Sequence, residues 1–185
     1  MFACSAPVAR TGIRPATSTL CATRPRARRQ QISRRFQKSA LLAVYHMPRK
    51  ESIETVQATW ARAVQQRERI GELFYERLFT LYPELQSMFR SDPAVQRQRL
   101  VDMVDAGVNL LNSRSDLEKA LRDLGKRHVK YGTQEEQYPI VGANLLQVLE
   151  TMLGEEHFTD SERGAWQDVY EYWASVMLDG AREVM

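Results

Sequence analysis

A stripe of three leucines and one histidine most constrains how this chain can fold. Leu117, Leu121, Leu124 and His128 are separated by four, three and four residues, a spacing that places their side chains on one face of an α-helix. The pattern therefore predicts a helix whose apolar face carries an imidazole ring. Burying that ring without a hydrogen bond would cost about 1–3 kcal/mol. The ring is either a structural histidine bonded to a carbonyl or a metal ligand, and the stripe alone favours the structural role.

The rest of the folded region repeats this helical periodicity. No segment alternates apolar and polar residues with the period of two that marks a half-buried strand. We therefore expect an all-α fold of about six helices. Signals for helix ends include Ser52 as an N-cap and a capping box at Thr159–Glu162. Gly71 lies inside a predicted helix, where it marks either the close approach of a crossing helix or an exposed site.

Charge divides the chain into a basic extension, residues 1–50, and an acidic domain, residues 51–185. The extension holds nine Arg, two Lys and no acidic residue, a net charge of +11, which leaves 15 basic and 23 acidic residues and −8 for the domain. The acidic domain excludes nucleic acid as an expected partner. No apolar run reaches the 18 or so residues of a membrane span, so we expect no membrane partner. Cys4 and Cys21 lie in the extension, so the domain has neither a disulfide framework nor a thiolate site.

Three interpretations of residues 1–46 remain open. Their Arg-, Ser- and Ala-rich, acid-free composition is typical of a mitochondrial or plastid transit peptide. It is also typical of a disordered basic arm. Alternatively, translation begins at Met47, which leads directly into the first predicted helix. We expect a cytoplasmic protein, or a mitochondrial or plastid one if the transit peptide is genuine.

Several motifs, taken in order, resemble the globin family, and specifically the haem domain of bacterial flavohaemoglobins and their single-domain relatives. The resemblance runs from about Ile53 to Glu183. It is carried by Phe74-Tyr75-Glu-Arg-Leu-Phe79, Pro83-Glu-Leu-Gln-Ser-Met-Phe89, Gln96, Leu100, His128, Glu136-Gln-Tyr138-Pro-Ile-Val141 and Ala165-Trp166. It implies a globin fold, a sandwich of three helices on three with six to eight helices in all, around haem b (iron protoporphyrin IX).

The resemblance assigns roles to residues on the proximal side of the haem. His128 would be the iron ligand, reversing the preference for a structural role. Phe89 would pack flat on the porphyrin, Leu124 would line the pocket, and Leu100, one turn beyond Gln96, would wall the pocket on the distal side. Glu183 would accept the inner N–H of the proximal histidine, and a tyrosine would support that carboxylate, which strengthens electron donation to the iron.

That supporting tyrosine would be Tyr138. The alternative for this pair is structural, with Tyr138 an aromatic residue at a helix entry and Glu183 a solvated acid near the C-terminus.

On the distal side the resemblance points to Tyr75 and Gln96. A hydroxyl and a carboxamide N–H can both donate hydrogen bonds to a bound gas that carries partial negative charge. The loop between Phe89 and Gln96 is shorter than is usual in the family, so Gln98 is the alternative. In an enzyme, Tyr75, Gln96, Tyr138 and Glu183 would be the catalytic set.

Three functions follow from the resemblance. The first is reversible O2 binding for transport or storage. The second is an NO dioxygenase or peroxidase-like enzyme, which would need an external reductase because no glycine-rich dinucleotide motif is present. The third is a gas sensor or interaction module. We expect O2, and NO or another diatomic gas, as ligands and a monomer or homodimer as the assembly.

Overall fold

The computed structural model describes residues 46–185, so the interpretations of the basic extension concern residues that lie almost entirely outside this range. Six α-helices follow one another in the described residues, with no strand among them. Their bounds are α1 Lys50–Ala63, α2 Arg67–Leu81, α3 Pro93–Asn109, α4 Arg114–Lys130, α5 Gln137–Leu153 and α6 Asp160–Arg182. Short 3-10 helices occupy Val64–Gln66, Pro83–Met88 and Leu110–Asn112. The predicted all-α fold is confirmed.

The helices form two layers of three. One layer contains α1, α3 and α4, and the other contains α2, α5 and α6. Across the layers, α1 and α4 pack on α6, and α3 packs on α2. The last helix is central because Trp166, Val169, Trp173 and Val176 recur every three or four residues and are all buried. Each such side chain contributes about 1.5–3 kcal/mol through its removal from water.

Two of the predicted helix ends have different outcomes. Thr159 and Glu162 form the predicted capping box at the start of α6. The predicted N-cap at Ser52 is wrong, because α1 already begins at Lys50 with Arg49 as its cap. The Ser52 hydroxyl donates instead to Asp168 on α6, at 3.2 Å, so this residue joins two helices rather than ending one.

Glycines permit close helix contacts at two crossings. A Cβ built on Gly71 would lie 2.7 Å from the Cβ of Arg97, which confirms the close approach of α2 and α3. A Cβ on Gly125 of α4 would lie 1.9 Å from the carbonyl oxygen of Met177, and one on Gly180 of α6 would lie 2.3 Å from that of Arg122. The α4–α6 crossing is therefore a contact of backbone on backbone.

The histidine-bearing helix α4 is packed on one side only. It lies against α6 and the short helix Leu110–Asn112, and it does not pack closely on either α2 or α3. The apolar stripe of α4 thus faces α6 at Leu117 and Leu121, which are buried, while His128 near the C-terminal end of the helix is only half-buried. None of the helices between residues 46 and 185 combines the length and the apolarity that a membrane span requires.

Candidate functional site

His128 is held in one orientation by its own helix. Its Nδ1 lies 2.9 Å from the carbonyl oxygen of Leu124, one turn earlier. A carbonyl only accepts, so Nδ1 carries the proton and Nε2 keeps a lone pair. Nε2 has no partner among the described residues. Burial lowers the pKa of His128, the bond to Leu124 opposes this, and the charge of Arg127 lowers the pKa further. The result is a neutral imidazole with one free nitrogen.

Two tyrosines flank this imidazole. The ring of Tyr138, which is buried, lies 5.9 Å from the His128 ring between centroids, and the ring of Tyr131 lies 6.0 Å away. Tyr138 is anchored at the start of α5, where its backbone carbonyl accepts a 2.8 Å hydrogen bond from the Tyr170 hydroxyl. The structure therefore places Tyr138 beside His128, whereas the resemblance implied that Tyr138 supports the carboxylate of Glu183.

Glu183 pairs with cations on α4 and not with His128. Its carboxylate pairs with Arg122 at 2.9 Å and with Lys126 at 2.8 Å, both on the outward face of α4. The side chain is 43% exposed. These two cations hold the pKa of Glu183 below its usual value, with the Lys126 hydrogen bond the largest cause. The expected contact of Glu183 with His128 is thus corrected: the acceptor at Nδ1 is the uncharged carbonyl of Leu124.

Tyr75 and Gln96 meet on the opposite side, at the crossing of α2 and α3. The side-chain amide of Gln96 donates to the Tyr75 hydroxyl at 3.3 Å, and that hydroxyl donates to the main-chain carbonyl oxygen of Gln96 at 3.5 Å. Burial raises the pKa of Tyr75, and the bond from Gln96 opposes the shift. The hydroxyl therefore stays protonated at neutral pH. Gln98, the alternative to Gln96, is exposed and donates to Asp102 at 2.8 Å.

An aromatic cluster lies beside this polar pair. The Phe89 ring lies 5.4 Å from both Tyr75 and Phe79, measured between ring centroids. Phe89 and Phe79 are half-buried, and Leu100 is at the edge of full burial in the core. Phe89 follows the short helix Pro83–Met88 directly, so that helix places an aromatic ring beside Tyr75 and Phe79.

A sulfur–amide contact links the two sides. The Gln137 side chain donates to the sulfur of Met88 at 3.4 Å. Met88 precedes Phe89, and Gln137 precedes Tyr138, the neighbour of His128. The short helix that places Phe89 is therefore fastened to the end of α5 that places Tyr138.

Asn144 is a residue of the site that was not predicted from the sequence. This buried residue of α5 donates from its side-chain amide to the carbonyl oxygen of Phe74, at 2.9 Å. Phe74 precedes Tyr75, so the bond fixes the segment of α2 that carries the tyrosine. A polar residue inside the otherwise apolar run of α5 was the available signal, since such a residue needs a buried partner.

These features fit a flat, largely apolar iron-bearing ring such as haem. A neutral imidazole offers Nε2 to a metal. Half-buried Phe89 offers an apolar face, and the hydroxyl of Tyr75 offers a proton. The helix that carries the imidazole does not pack closely on α2, which carries Tyr75, or on α3.

Comparisons with known proteins agree with this geometry. A family model described as Globin matches residues 72–177, more than half of the chain. The flavohemoprotein of Rhizobium meliloti (strain 1021) is 32% identical over 127 residues, which is 67% of this chain but only 31% of that relative. The chain therefore spans about a third of the length of that protein.

Two solved structures show the same fold. One is an engineered carbene transferase made from a putative nitric oxide dioxygenase of Rhodothermus marinus, 25% identical, with a TM-score of 0.65 over 74% of this chain and 95% of that one. The other is the flavohemoglobin of Malassezia yamatoensis with bound FAD and heme, 21% identical, with a TM-score of 0.64 over 74% of this chain and 37% of that one. The chain belongs to the globin family.

Proposed function

We propose that this globin binds haem b through Nε2 of His128 and binds O2 reversibly on the side of Tyr75 and Gln96. The observation that carries the proposal is the orientation of His128. Its Nδ1 is engaged by Leu124 at 2.9 Å, and this leaves a neutral, half-buried Nε2 for a metal. When bound, haem would supply the iron at which a diatomic gas coordinates.

The partner of Nδ1 favours gas carriage over oxygen activation. A carboxylate acceptor would draw the Nδ1 proton and make the imidazole a stronger electron donor, which assists O–O cleavage. Leu124 offers an uncharged carbonyl instead, while Glu183 is occupied by Arg122 and Lys126. His128 therefore acts as an ordinary neutral ligand.

The distal pair supports retention of a polar gas. The Tyr75 hydroxyl donates to the Gln96 carbonyl over 3.5 Å, a distance at the limit for a hydrogen bond. The proton can be redirected to a ligand at little cost. The amide of Gln96 holds the hydroxyl oxygen at 3.3 Å and keeps the tyrosine in place.

The first test is ligation. His128→Gly holoprotein should lose the ferrous and ferric spectra of an imidazole-bound haem, and added imidazole should restore them. His157→Gly is the matched control, because His157 lies exposed in the loop before α6. Unchanged spectra in His128→Gly would contradict the proposal.

The second test is gas retention. Tyr75→Phe should release O2 roughly tenfold faster, since a hydrogen bond contributes about 0.5–1.5 kcal/mol net and each 1.4 kcal/mol is a factor of ten. Flash photolysis or stopped-flow displacement measures the rate. Tyr131→Phe, an exposed tyrosine on the other side, is the control. Equal rates in all three proteins would exclude Tyr75 as the donor.

An NO dioxygenase is the second candidate, favoured by the similarity to the putative nitric oxide dioxygenase of Rhodothermus marinus. In this function the same pair, Tyr75 and Gln96, would hold O2 while NO reacts to give nitrate. Multiple turnovers of NO to nitrate with a reductase and NADH would favour the enzyme. A single stoichiometric oxidation, whichever reductase is supplied, would favour the O2 carrier.

A further inference from the structure

The exposed end of α4 next to His128 has the features of an electron-entry site. We propose that Arg127, Lys130 and Tyr131 form a docking surface for an acidic one-electron donor protein. The proposal rests on haem ligation by His128. Either candidate function requires an electron donor, because a haem iron that becomes ferric must be reduced before it binds O2 again.

Tyr131 combines exposure with proximity to the ligand. Its side chain is 61% exposed, yet its ring centroid lies only 6.0 Å from that of His128. The residue is fixed to the end of α4, because its backbone N–H donates to the carbonyl oxygens of Arg127 and His128. Tyrosine is enriched at interfaces, where one part of the side chain is apolar and the other is wet. The Tyr131 ring therefore connects the surface to the imidazole of His128, the expected iron ligand.

Two basic residues share this face. Lys130 and Tyr131 follow Arg127 by three and four residues, so all three residues lie on one side of the helix. Arg127 and Lys130 are exposed and form no salt bridge with any residue of 46–185. The charge of Arg127 reaches the His128 ring, whose pKa it helps to lower. The neighbouring cations Arg122 and Lys126 are already paired with Glu183.

The acidic groups around the surface leave these charges available. Glu135 is engaged by Arg182 at 3.6 Å. Asp123 and Glu136 are exposed and offset the charge in part. Residues 51–185 carry a net charge of −8. An acidic donor is therefore repelled by most of the domain and attracted at this surface, which orients the encounter.

The reaction at this surface is a single electron transfer. With haem bound, the donor cofactor would lose one electron and the iron held by His128 would gain it, passing from ferric to ferrous with no bond made or broken. Tunnelling rates fall steeply with distance. A donor cofactor placed over the Tyr131 ring has an aromatic path through that ring and the imidazole of His128.

The test uses the full-length holoprotein and reduced flavodoxin, an acidic FMN protein, as the donor. The surface variant is Arg127→Gln/Lys130→Gln. The matched control is Arg62→Gln/Lys119→Gln, which removes two exposed charges elsewhere and gives the same net charge. Calorimetry measures affinity, and stopped-flow absorbance measures the rate of iron reduction.

At low salt the surface variant should bind flavodoxin roughly fivefold more weakly than the wild type, since each exposed charge pair contributes modestly. Its iron should also be reduced roughly fivefold more slowly. The control should match the wild type. The difference should vanish in 1 M salt, where the screening length is about 3 Å. Tyr131→Leu should bind flavodoxin more weakly and should still be reduced severalfold more slowly when flavodoxin is saturating, while Tyr131→Phe should keep the wild-type rate.

Equal losses in the two double variants, or no measurable complex with the wild type, would overturn the docking surface. The first result would assign the attraction to net charge rather than to this surface, and the second would show that the surface does not bind this donor. A wild type with normal oxy spectra and unchanged variant rates refutes the docking surface alone. A wild type without haem spectra refutes the proposed function, and the docking surface with it.

Discussion

Gly125→Ala provides a stringent test of the backbone contact between α4 and α6. The added Cβ would lie 1.9 Å from the carbonyl oxygen of Met177, and real Cβ contacts begin at about 3.0 Å and become ordinary at 3.4 Å. The helices must therefore separate by roughly 1.1–1.5 Å at this point, the differences 3.0 − 1.9 and 3.4 − 1.9. Met177 cannot rotate its carbonyl away, because that oxygen belongs to the backbone of α6.

The energetic cost follows from this separation. A gap of 0.5–1 Å already forfeits a quarter to a half of the dispersion attraction at a contact, and overpacking costs about 1–3 kcal/mol, occasionally more. The better helix propensity of alanine returns at most about 1 kcal/mol. Because the backbone contact cannot yield, we take the upper end of the cost and expect a net loss of about 2 kcal/mol, measured as the free energy of unfolding by urea denaturation. The midpoint temperature should fall by roughly 4–8 °C.

Gly164→Ala is the control for this prediction. Gly164 lies in α6 as well, but a Cβ there meets nothing within 4 Å. This variant should be more stable than the wild type by about 0.5–1 kcal/mol, since alanine loses less backbone entropy than glycine. If Gly125→Ala were as stable as the wild type, or if both variants were equally destabilised, the close contact would not be limiting.

Three further predictions concern individual side chains. Burial lowers the pKa of His128 in the folded protein. The stability that the neutral imidazole contributes is therefore present above the unfolded pKa of about 6.5 and is lost as the pH falls towards the folded pKa. Urea denaturation of the apoprotein between pH 8 and 5 should show this loss of stability, and His128→Leu should reduce the loss. Thr159→Ala should cost about 1 kcal/mol through loss of the α6 cap, with Ser161→Ala as the control in a thermal melt. Glu183→Gln should leave the haem reduction potential unchanged, because the carboxylate pairs with Arg122 and Lys126; a large shift of the potential would restore the carboxylate–imidazole contact that the resemblance implied.

Helix positions were predictable because burial imposes a period. The stripe of Leu117, Leu121 and His128 and the buried residues of α6 recur every three or four positions, and a helix is the only regular element that collects them on one side. The close helix contact at Gly71 was predictable in part, because a glycine inside a helix is tolerated where the backbone of another helix lies close. The meeting of Tyr75 with Gln96, by contrast, was inferred from resemblance, since nothing local relates two residues on crossing helices.

The partner of His128 was not predictable from the chain itself. A carbonyl one turn back and a distant carboxylate are both adequate acceptors for Nδ1–H, and the choice depends on side-chain direction and on competition for the carboxylate. Arg122 and Lys126 lie four residues apart on the outer face of α4 and pair with Glu183 there.

The one-sided packing of α4 gives this helix a thermodynamic role as well as a geometric one. A segment held mainly by α6, with only the short helix Leu110–Asn112 beside it, opens at a lower free energy than a segment enclosed on both sides. Any group that binds between His128 and the facing helices therefore completes the second contact and adds about 2.7 kcal/mol of stability at a free concentration one hundred times its dissociation constant. Cofactor loading and the closing of this helix are then one equilibrium, in which folding drives binding as much as binding drives folding.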